Sequence, residues 1–256
     1  MGGSVPFDRA VEYYDRTRAL PPEAHQQVID IVVAELEGRR PVLEIGVGTG
    51  RVGLDLVRAG IPVVGLDVSF PMLQRLVENA GGEVLLPVVQ GDATALPYAD
   101  AAFGAAVASH VLHLVPDYRG ALTELARVVR PGGPLLVSRG SPPRPLGDLV
   151  EVAWDVIGGH TLPGAATIEQ VDAAASDLGL PVRELEPVTA RGRRRPRDVI
   201  GMAERRQWGW SWELSDEQVA AMVDAMTRAA VQRWGSVDEL VDDEQVVDWH
   251  VYDVPR

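Results

Sequence analysis

Hydrophobic and polar residues alternate along this chain in two different periods. Short apolar runs that end near glycine or an acidic residue have the form of buried parallel strands. These runs occupy 42–46, 62–67, 84–92, the first half of 101–115, and 132–140. Segments with apolar residues at helical spacing separate them, at 51–59, 71–79 and 117–129. The alternation predicts βαβ units, and therefore an α/β protein with a parallel sheet covered by helices on both faces.

The two ends of the chain add further helices. Residues 1–40 are predicted to form a helical cap, in which a pair of prolines opens the main helix. Farther along the chain, Thr167 with Gln170 and Ser215 with Gln218 have the spacing of capping boxes. Each pair predicts the start of a helix.

Two more strands and an insertion complete the prediction. PVRELEPV at 181–188 predicts a sixth strand, and VVDWHVYDV at 246–254 predicts a closing one. The segment 197–240 between them is predicted to be a helical insertion over the carboxyl ends of the strands, where open α/β sheets bind ligands. We therefore expect one domain over 1–256, with a cofactor-binding core at 41–140.

The segment PVLEIGVGTGRVG carries the main functional signal. Gly46, Gly48 and Gly50 permit positive φ angles and leave no Cβ between the turn and a ligand. Counted from Gly48, the segment fits the G-x-G-x-x-G of dinucleotide-binding proteins. Counted from Glu44, it is E-x-G-x-G-x-G, which resembles class I S-adenosylmethionine-dependent methyltransferases. The turn predicts a cofactor and does not by itself choose between the two classes.

Composition restricts the possible partners. The 256 residues include no cysteine, which excludes disulfides, thiolate zinc sites and a cysteine nucleophile. A formal net charge of −13 opposes nucleic-acid binding, because the phosphate backbone would be repelled. No apolar stretch approaches the roughly 20 residues that span a bilayer, and no histidine and carboxylate spacing forms a metal motif. We expect a soluble, cytoplasmic protein with a small-molecule substrate and no metal, membrane or nucleic-acid partner; the sequence does not indicate its oligomeric state.

Acidic residues follow the predicted second and third strands. Asp67 ends the second, where a carboxylate can accept from both ribose hydroxyls in either cofactor class. Val68 and Met72 would offer an apolar face to adenine. Asp92 lies in GDATALP, where its carboxylate can accept from the adenine amino group while the Ala93 amide donates to the ring. An acidic residue and alanine before a Leu-Pro turn are typical of class I methyltransferases here, and unusual in nicotinamide dehydrogenases.

Five motifs together resemble the small-molecule methyltransferases of this class. They are VLEIGVGTG, GLD, GDATALP, SHVLHLVPD and ELARVVRPGG, in that order, within roughly residues 7–140. The resemblance implies a three-layer Rossmann-like fold. Its seven-stranded sheet would be mostly parallel with the last strand antiparallel, and a helical insertion would separate strands six and seven. The cofactor would be S-adenosyl-L-methionine.

The resemblance also implies roles for single residues. The three glycines would lie under the methionine part of the cofactor, Asp67 at the ribose, and Asp92 with Ala93 at the adenine. Ser109 would lie near the sulfonium end, and Glu44 would act through the turn and the cofactor's amino group.

The amino-terminal segment contains a further candidate pair. Tyr14 and Arg18 resemble residues that close over the methionine carboxylate in related enzymes, and a guanidinium suits a carboxylate. The alternative is an ordinary helix surface above a packed tyrosine.

Histidines are the candidate general bases. His110 and His113 follow the fourth strand at the rim where an acceptor should lie, and His113 is the first candidate because related enzymes often carry a histidine there. The alternative is a loop histidine bonded to backbone. His160 and His250 have weaker claims.

Two unusual clusters lie between the predicted sixth and closing strands. Trp208, Trp210 and Trp212 alternate, which would place them on one side of an extended segment, either in an apolar acceptor pocket or as anchors to the sheet. For the basic cluster, a solvated loop is favoured over a grip on a substrate carboxylate or phosphate. Its members are Arg191, Arg193, Arg194, Arg195 and Arg197.

These observations favour methyl transfer from S-adenosylmethionine to a small, largely apolar acceptor by in-line displacement, mainly through proximity and orientation. The sequence does not choose between O-, N- and C-methylation. The alternatives are a nicotinamide-dependent oxidoreductase and a non-catalytic protein that binds S-adenosylmethionine.

Overall fold

A seven-stranded sheet lies at the centre of the computed structural model, which describes residues 6–139, 144–159 and 166–256. The strand order is β3-β2-β1-β4-β5-β9-β6; β1 to β5 are parallel, and β9 runs antiparallel to both of its neighbours. The strands are β1 Val42–Ile45, β2 Val63–Asp67, β3 Val88–Gln90, β4 Ala105–Ser109, β5 Pro134–Ser138, β6 Val182–Glu184 and β9 His250–Asp253. This confirms the predicted sheet with a reversed last strand.

Nine helices and a separate strand pair complete the described parts of the chain. The helices are α1 Tyr14–Arg18, α2 Pro22–Glu35, α3 Gly53–Arg58, α4 Phe70–Asn79, α5 Tyr118–Val128, α6 Asp148–Ile157, α7 Ile168–Asp177, α8 Pro196–Glu204 and α9 Asp216–Trp234. The strand pair is β7 Val188–Arg194 with β8 Val241–Val247. Both predicted capping boxes are present, at the starts of α7 and α9. No helix in these parts is both long enough and apolar enough to cross a membrane.

The central sheet is buried on both faces. Successive side chains of a strand point to opposite faces, so Leu43 and Ile45 pack with α5 and α7, whereas Val42 packs with α2, α3 and α4. All four residues of β1 are buried, and Glu44 is its polar member. A continuous apolar strand is expected where helices cover both sides of a parallel sheet. The buried carboxyl of Glu44 is therefore an exception that a site must explain.

The segment between β6 and β9 contains more than the helical insertion predicted at 197–240. Helices α8 and α9 do lie there, and they pack with α6 in a third apolar cluster that includes Leu146, Ala153, Met222 and Met226. Strands β7 and β8 flank these helices and pair with each other rather than with the central sheet. Helix α6 and this strand pair were not predicted. We call the segment 188–247 the inserted segment.

The arginine cluster is not the solvated loop that was predicted. Arg191, Arg193 and Arg194 lie in β7, and their side chains pair with acidic side chains of β8. The Arg193 and Asp242 side chains are 3.2 Å apart, and Arg194 and Asp243 are 2.5 Å apart. Opposite charges directly across an antiparallel pair stabilise it. The basic run therefore helps to hold two strands together that carry few apolar residues.

Candidate cofactor and acceptor site

A cavity of about 660 Å³ lies at the carboxyl ends of β1, β2, β4 and β5 and extends to the inserted segment. This volume is typical of small-ligand sites. We call it the central cavity. Most of the predicted site residues line it, namely Tyr14, Arg18, Glu44, Gly46, Gly48, Asp67, Val68, Met72, Ala93, Ser109, His110 and His113. Gly50 and Asp92 are not among the lining residues.

The three glycines of the turn have different tasks. Gly46 has φ +60°, and a Cβ there would lie 2.4 Å from a methyl carbon of Val111. Gly48 has φ +52°, and a Cβ there would have no neighbour nearer than 3.8 Å, so this part of the backbone is open to a ligand. At Gly50 a Cβ would lie 2.8 Å from the Leu54 side chain. Gly50 therefore serves packing beneath the turn rather than contact with the cavity.

Asp67 ties the glycine turn to the start of α4. The backbone N–H groups of Gly48 and Ser69 donate to its two carboxylate oxygens, each at 2.8 Å. Burial raises the pKa of Asp67, and these backbone donors oppose the shift. Met72, at 2% exposure, and the half-buried Val68 lie beside it on the cavity wall. The ribose and adenine roles of these residues remain predictions.

The carboxyl group of Glu44 is only partly satisfied by the described residues. It is 2% exposed, and its Oε2 has no hydrogen-bond partner among the described residues. Burial raises the pKa of Glu44 well above 4.5; the charge of Asp67 adds to the shift, and the nearby Gly53 amide opposes it. An unpaired buried carboxyl oxygen is costly. A ligand with N–H donors fits this position.

Asp92 and Ala93 are placed differently from each other. Ala93 lines the central cavity, but the Asp92 carboxylate accepts from the N–H and the hydroxyl of Thr94, both at 2.9 Å. This turn directs Asp92 toward its own loop. The adenine contact of Asp92 remains a prediction that requires the carboxylate to accept one more donor.

The amino-terminal segment covers the glycine turn. The Thr49 hydroxyl donates to Asp15 at 2.5 Å. The Arg18 guanidinium lies 5.9 Å from the ring centre of Tyr14, and the Arg51 guanidinium donates to the Arg18 carbonyl. Burial raises the pKa of Tyr14, so the phenol stays a donor. These contacts bring two guanidinium groups and a phenol to one end of the cavity, as an anionic carboxylate would need.

The two candidate histidines both line the cavity and are half-buried. The His110 backbone has φ +55°, and its N–H donates to the Ser138 carbonyl at 2.7 Å. Burial lowers the pKa of each to about 3, with neighbouring positive charges adding to the shift. Both rings are therefore neutral at pH 7 and weakly basic. His250 is buried in β9 with its Nδ1 3.0 Å from Asp172, and His160 lies outside the described residues.

The prediction that the three tryptophans lie on one side of an extended segment is wrong. Residues 209–211 form a 3-10 turn. Trp208 and Trp210 stack with ring centres 5.2 Å apart and line the cavity. Trp212 instead donates from its ring N–H to the Tyr13 hydroxyl at 3.1 Å and packs against Phe7. Two of the three therefore belong to the cavity, and the third joins the inserted segment to the amino-terminal cap.

Several cavity residues were missed by the sequence analysis. Arg51 directly follows the glycine turn, and Ser138 and Arg139 stand at the end of β5. Ligands bind at the carboxyl ends of strands in open α/β sheets, and this rule could have found the latter two. Trp154 lies on α6 and Trp249 precedes β9, and neither position carries a local signal.

Comparisons with known proteins identify relatives of this chain. A family model described as a methyltransferase domain matches residues 43–137. Demethylmenaquinone methyltransferase of Clavibacter sepedonicus is 35% identical over 177 residues, which are 67% of this chain and 71% of the relative. Malonyl-(acyl-carrier protein) O-methyltransferase of Pseudescherichia vulneris is 37% identical over 129 residues, 50% of this chain and 49% of the relative. With three further demethylmenaquinone methyltransferases, the match spans 57% to 59% of the relative's length.

A solved structure shares the fold. YcgJ of Bacillus subtilis superimposes with a TM-score of 0.63 at 16% identity, over 91% of this chain and 100% of that one. The chain belongs to the class I S-adenosylmethionine-dependent methyltransferases that act on small molecules. Its cofactor is S-adenosylmethionine, and the comparisons give no support to a nicotinamide-dependent oxidoreductase.

The chain's own residues fit this cofactor. The space above Gly48 leaves room for a ligand against the backbone. The unpartnered Glu44 Oε2 can accept from an ammonium group, and the guanidinium groups of Arg18 and Arg51 suit a carboxylate. These three features together match the amino-acid part of S-adenosylmethionine.

Proposed function

We propose that the protein methylates a small, largely apolar acceptor bound between the two histidines and the inserted segment. The observation that carries the proposal is the continuity of the central cavity. It runs from the glycine turn and Asp67 to Trp208 and Trp210. The cofactor occupies the end at the glycine turn, and the acceptor occupies the end at the tryptophans.

We further propose that the protein works mainly by holding the acceptor in line with the methyl group. S-adenosylmethionine, when bound, supplies an electrophilic methyl group on a sulfonium. Ser109 and the neutral rings of His110 and His113 line the middle of the cavity and can accept hydrogen bonds from the acceptor. Such orientation can supply about 7–11 kcal/mol of the barrier reduction. Weakly basic histidines orient the acceptor in this scheme and are poor proton abstractors at neutral pH.

We also propose that the amino-terminal cap and the inserted segment together limit the access of water to this space. The Arg9 and Glu213 side chains lie 3.3 Å apart, and Trp212 contacts both Phe7 and Tyr13. Parting these contacts would open the cavity to substrates. This gives the Trp212 contact a role in access, separate from the cavity-lining tryptophans.

The direct test combines binding with turnover. S-adenosylhomocysteine at a hundred times its dissociation constant should stabilise the native state by about 2.7 kcal/mol, a melting shift of roughly 5 to 10 °C at this size. NADH should give no shift; stabilisation by NADH alone would contradict the proposal. Isotope-labelled S-adenosylmethionine incubated with small hydroxyl, amine and acidic-carbon acceptors should give a product of increased mass. Fragmentation of that product would identify the methylated atom.

A further inference from the structure

The arginines that line the central cavity fall into three groups. Three belong to β7 and pair with acidic residues of β8, and two lie with Tyr14 beside the glycine turn. One remains at the end of β5. The six are Arg191, Arg193, Arg194, Arg18, Arg51 and Arg139. Arg139 is therefore the cavity arginine that neither of the first two groups accounts for.

Arg139 is a half-buried cation without a close partner in the described part of the chain. It makes no ion pair within 4.0 Å and no hydrogen bond there. After burial, its charge is the largest influence that lowers the pKa of His113. The charge of Arg139 also lowers the pKa of Glu169. The hydrogen bonds of that exposed carboxylate with Thr167 and with its own backbone amide lower this pKa more. In a chain of net charge −13, a cavity cation with no acid within 4.0 Å among the described residues indicates an anionic ligand.

Ser138 provides a second, independent observation at the same place. It is 3% exposed and lines the cavity, and its Oγ has no hydrogen-bond partner among the described residues. Its backbone carbonyl already accepts from His110, so the residue is fixed in position. A buried hydroxyl without a partner is costly unless a ligand or water satisfies it. The hydroxyl and the guanidinium stand on consecutive residues at the end of β5.

Aromatic surface covers another part of the same cavity. Trp208 and Trp210 are stacked with an interplanar angle of 8°, and Trp154 meets Trp210 edge to face at 6.0 Å. All three line the cavity and are only half-buried. Aromatic rings prefer offset-stacked or edge-to-face partners at such distances. A planar aromatic ligand is the class of molecule that such a wall suits best.

We propose that Arg139 and the Ser138 hydroxyl form a binding subsite for an anionic oxygen, and that the methyl acceptor is an aromatic compound bearing a carboxylate or an ionised hydroxyl group. The inference rests on the proposed function, because it assigns the acceptor end of the same cavity. It adds charge to an acceptor that would otherwise be described only as apolar. Arg139 fixes the orientation of the acceptor, and the identity of the methylated atom is a separate question.

The experiment is calorimetric binding of three probes to the protein saturated with S-adenosylhomocysteine. The probes are 2-naphthoate for the carboxylate, 2,4-dinitro-1-naphtholate for the ionised hydroxyl, and methyl 2-naphthoate as the neutral control. At least one anionic probe should bind native protein, and Arg139→Gln should weaken it about tenfold to a hundredfold, the effect of a lost charged hydrogen bond. The neutral ester should bind both proteins alike. Comparison of the affinities of the two anionic probes shows whether the subsite binds a carboxylate or an ionised hydroxyl group.

Two further variants separate charge recognition from structural damage. Arg228→Gln is the charge control: Arg228 lies on α9, has a side chain that is 69% exposed, pairs with Asp224 and is not among the residues that line the cavity. It should leave anion binding unchanged. Arg139→Lys keeps the positive charge but loses the planar guanidinium that can donate two parallel hydrogen bonds, and it should retain part of the affinity.

The outcomes distinguish the two proposals. Failure of S-adenosylhomocysteine to bind native protein overturns the proposed function itself. Binding of the cofactor product without binding of either anionic probe overturns only the acceptor inference. Equal losses for anionic and neutral probes in Arg139→Gln would also overturn it. So would a loss of S-adenosylhomocysteine affinity in that variant, because Arg139 would then belong to the cofactor.

Discussion

Replacement of Asp67 by asparagine should weaken cofactor binding while leaving the protein folded. Asp67 is 9% exposed, and its two oxygens accept from the Gly48 and Ser69 amides at 2.8 Å. Asparagine keeps one acceptor and sets an NH2 group against the other amide. One lost hydrogen bond to a charged group costs about 1.5–3 kcal/mol. Burial already raises the pKa of Asp67, so the neutral side chain recovers part of that cost.

We therefore expect the free energy of unfolding to fall by about 1–2 kcal/mol, or roughly 2–8 °C in melting temperature. If Asp67 accepts from the ribose hydroxyls, loss of one carboxylate oxygen should weaken S-adenosylhomocysteine binding about tenfold to a hundredfold. Asp117→Asn is the matched control. It removes the same charge and also weakens an acceptor of a backbone amide, that of Gly120 at 2.9 Å, but away from the cavity. Its cofactor affinity should equal that of the native protein.

Calorimetric titration with S-adenosylhomocysteine and its 2′-deoxy analogue distinguishes ribose contact from movement of the turn. If Asp67 holds the ribose, removing the 2′-hydroxyl should cost native protein much more affinity than it costs Asp67→Asn, as in a double-mutant cycle. If the variant only displaces Gly48, both ligands should weaken by the same factor. Unchanged affinity for S-adenosylhomocysteine in Asp67→Asn would refute the assignment outright.

Three other predictions follow from buried groups. Because burial raises the folded-state pKa of Glu44, the stability that its protonation contributes is present below pH 4.5 and is lost as pH rises. The urea midpoints of native protein and Glu44→Gln should therefore match near pH 4, and by pH 8 the variant should have the higher midpoint. A difference that does not change with pH would contradict this. At Gly104, a Cβ would lie 2.5 Å from a main-chain carbonyl carbon, so Gly104→Ala should cost about 1–3 kcal/mol, while Gly192→Ala, with no atom within 4 Å, should cost much less. With pKa values of about 3, His110 and His113 should stay neutral from pH 8 to 5 in ring-nitrogen NMR spectra, and titration near 6.5 would show that the cavity hydrates them.

The cofactor half could be predicted because its signals are local. Each strand of 41–140 is a short apolar run, and residues that line the central cavity follow directly where such a run ends. Asp67 and Ser109 needed only the position of a strand end. Asp92 was harder, because the Asx turn to Thr94 competes for its carboxylate.

The acceptor half could not be predicted in the same way, because long-range contacts define it. Strand β7 contains VTARGRR and β8 contains VDDEQVV, and neither has the apolar content of a typical strand. The basic residues of β7 and the acidic residues of β8 stabilise each other's strand, since Arg193 lies opposite Asp242 in the register and Arg194 pairs with Asp243. Charge runs on separate segments indicate loops when each is considered alone. Trp212 shows the same limit, because its partners Phe7 and Tyr13 come from the other end of the chain.

The division between the two halves also coincides with the extent of family similarity. The methyltransferase domain match covers 43–137 and therefore contains the glycine turn, Asp67 and the two histidines. It ends directly before Ser138 and Arg139, which line the central cavity, and before α6 and the inserted segment. Because specificity depends on the groups that touch the acceptor, relatives that share the matched region can use the same cofactor for different acceptors. The substrate of this enzyme should therefore be sought from the residues after 137, which line the central cavity with both a cation and tryptophans.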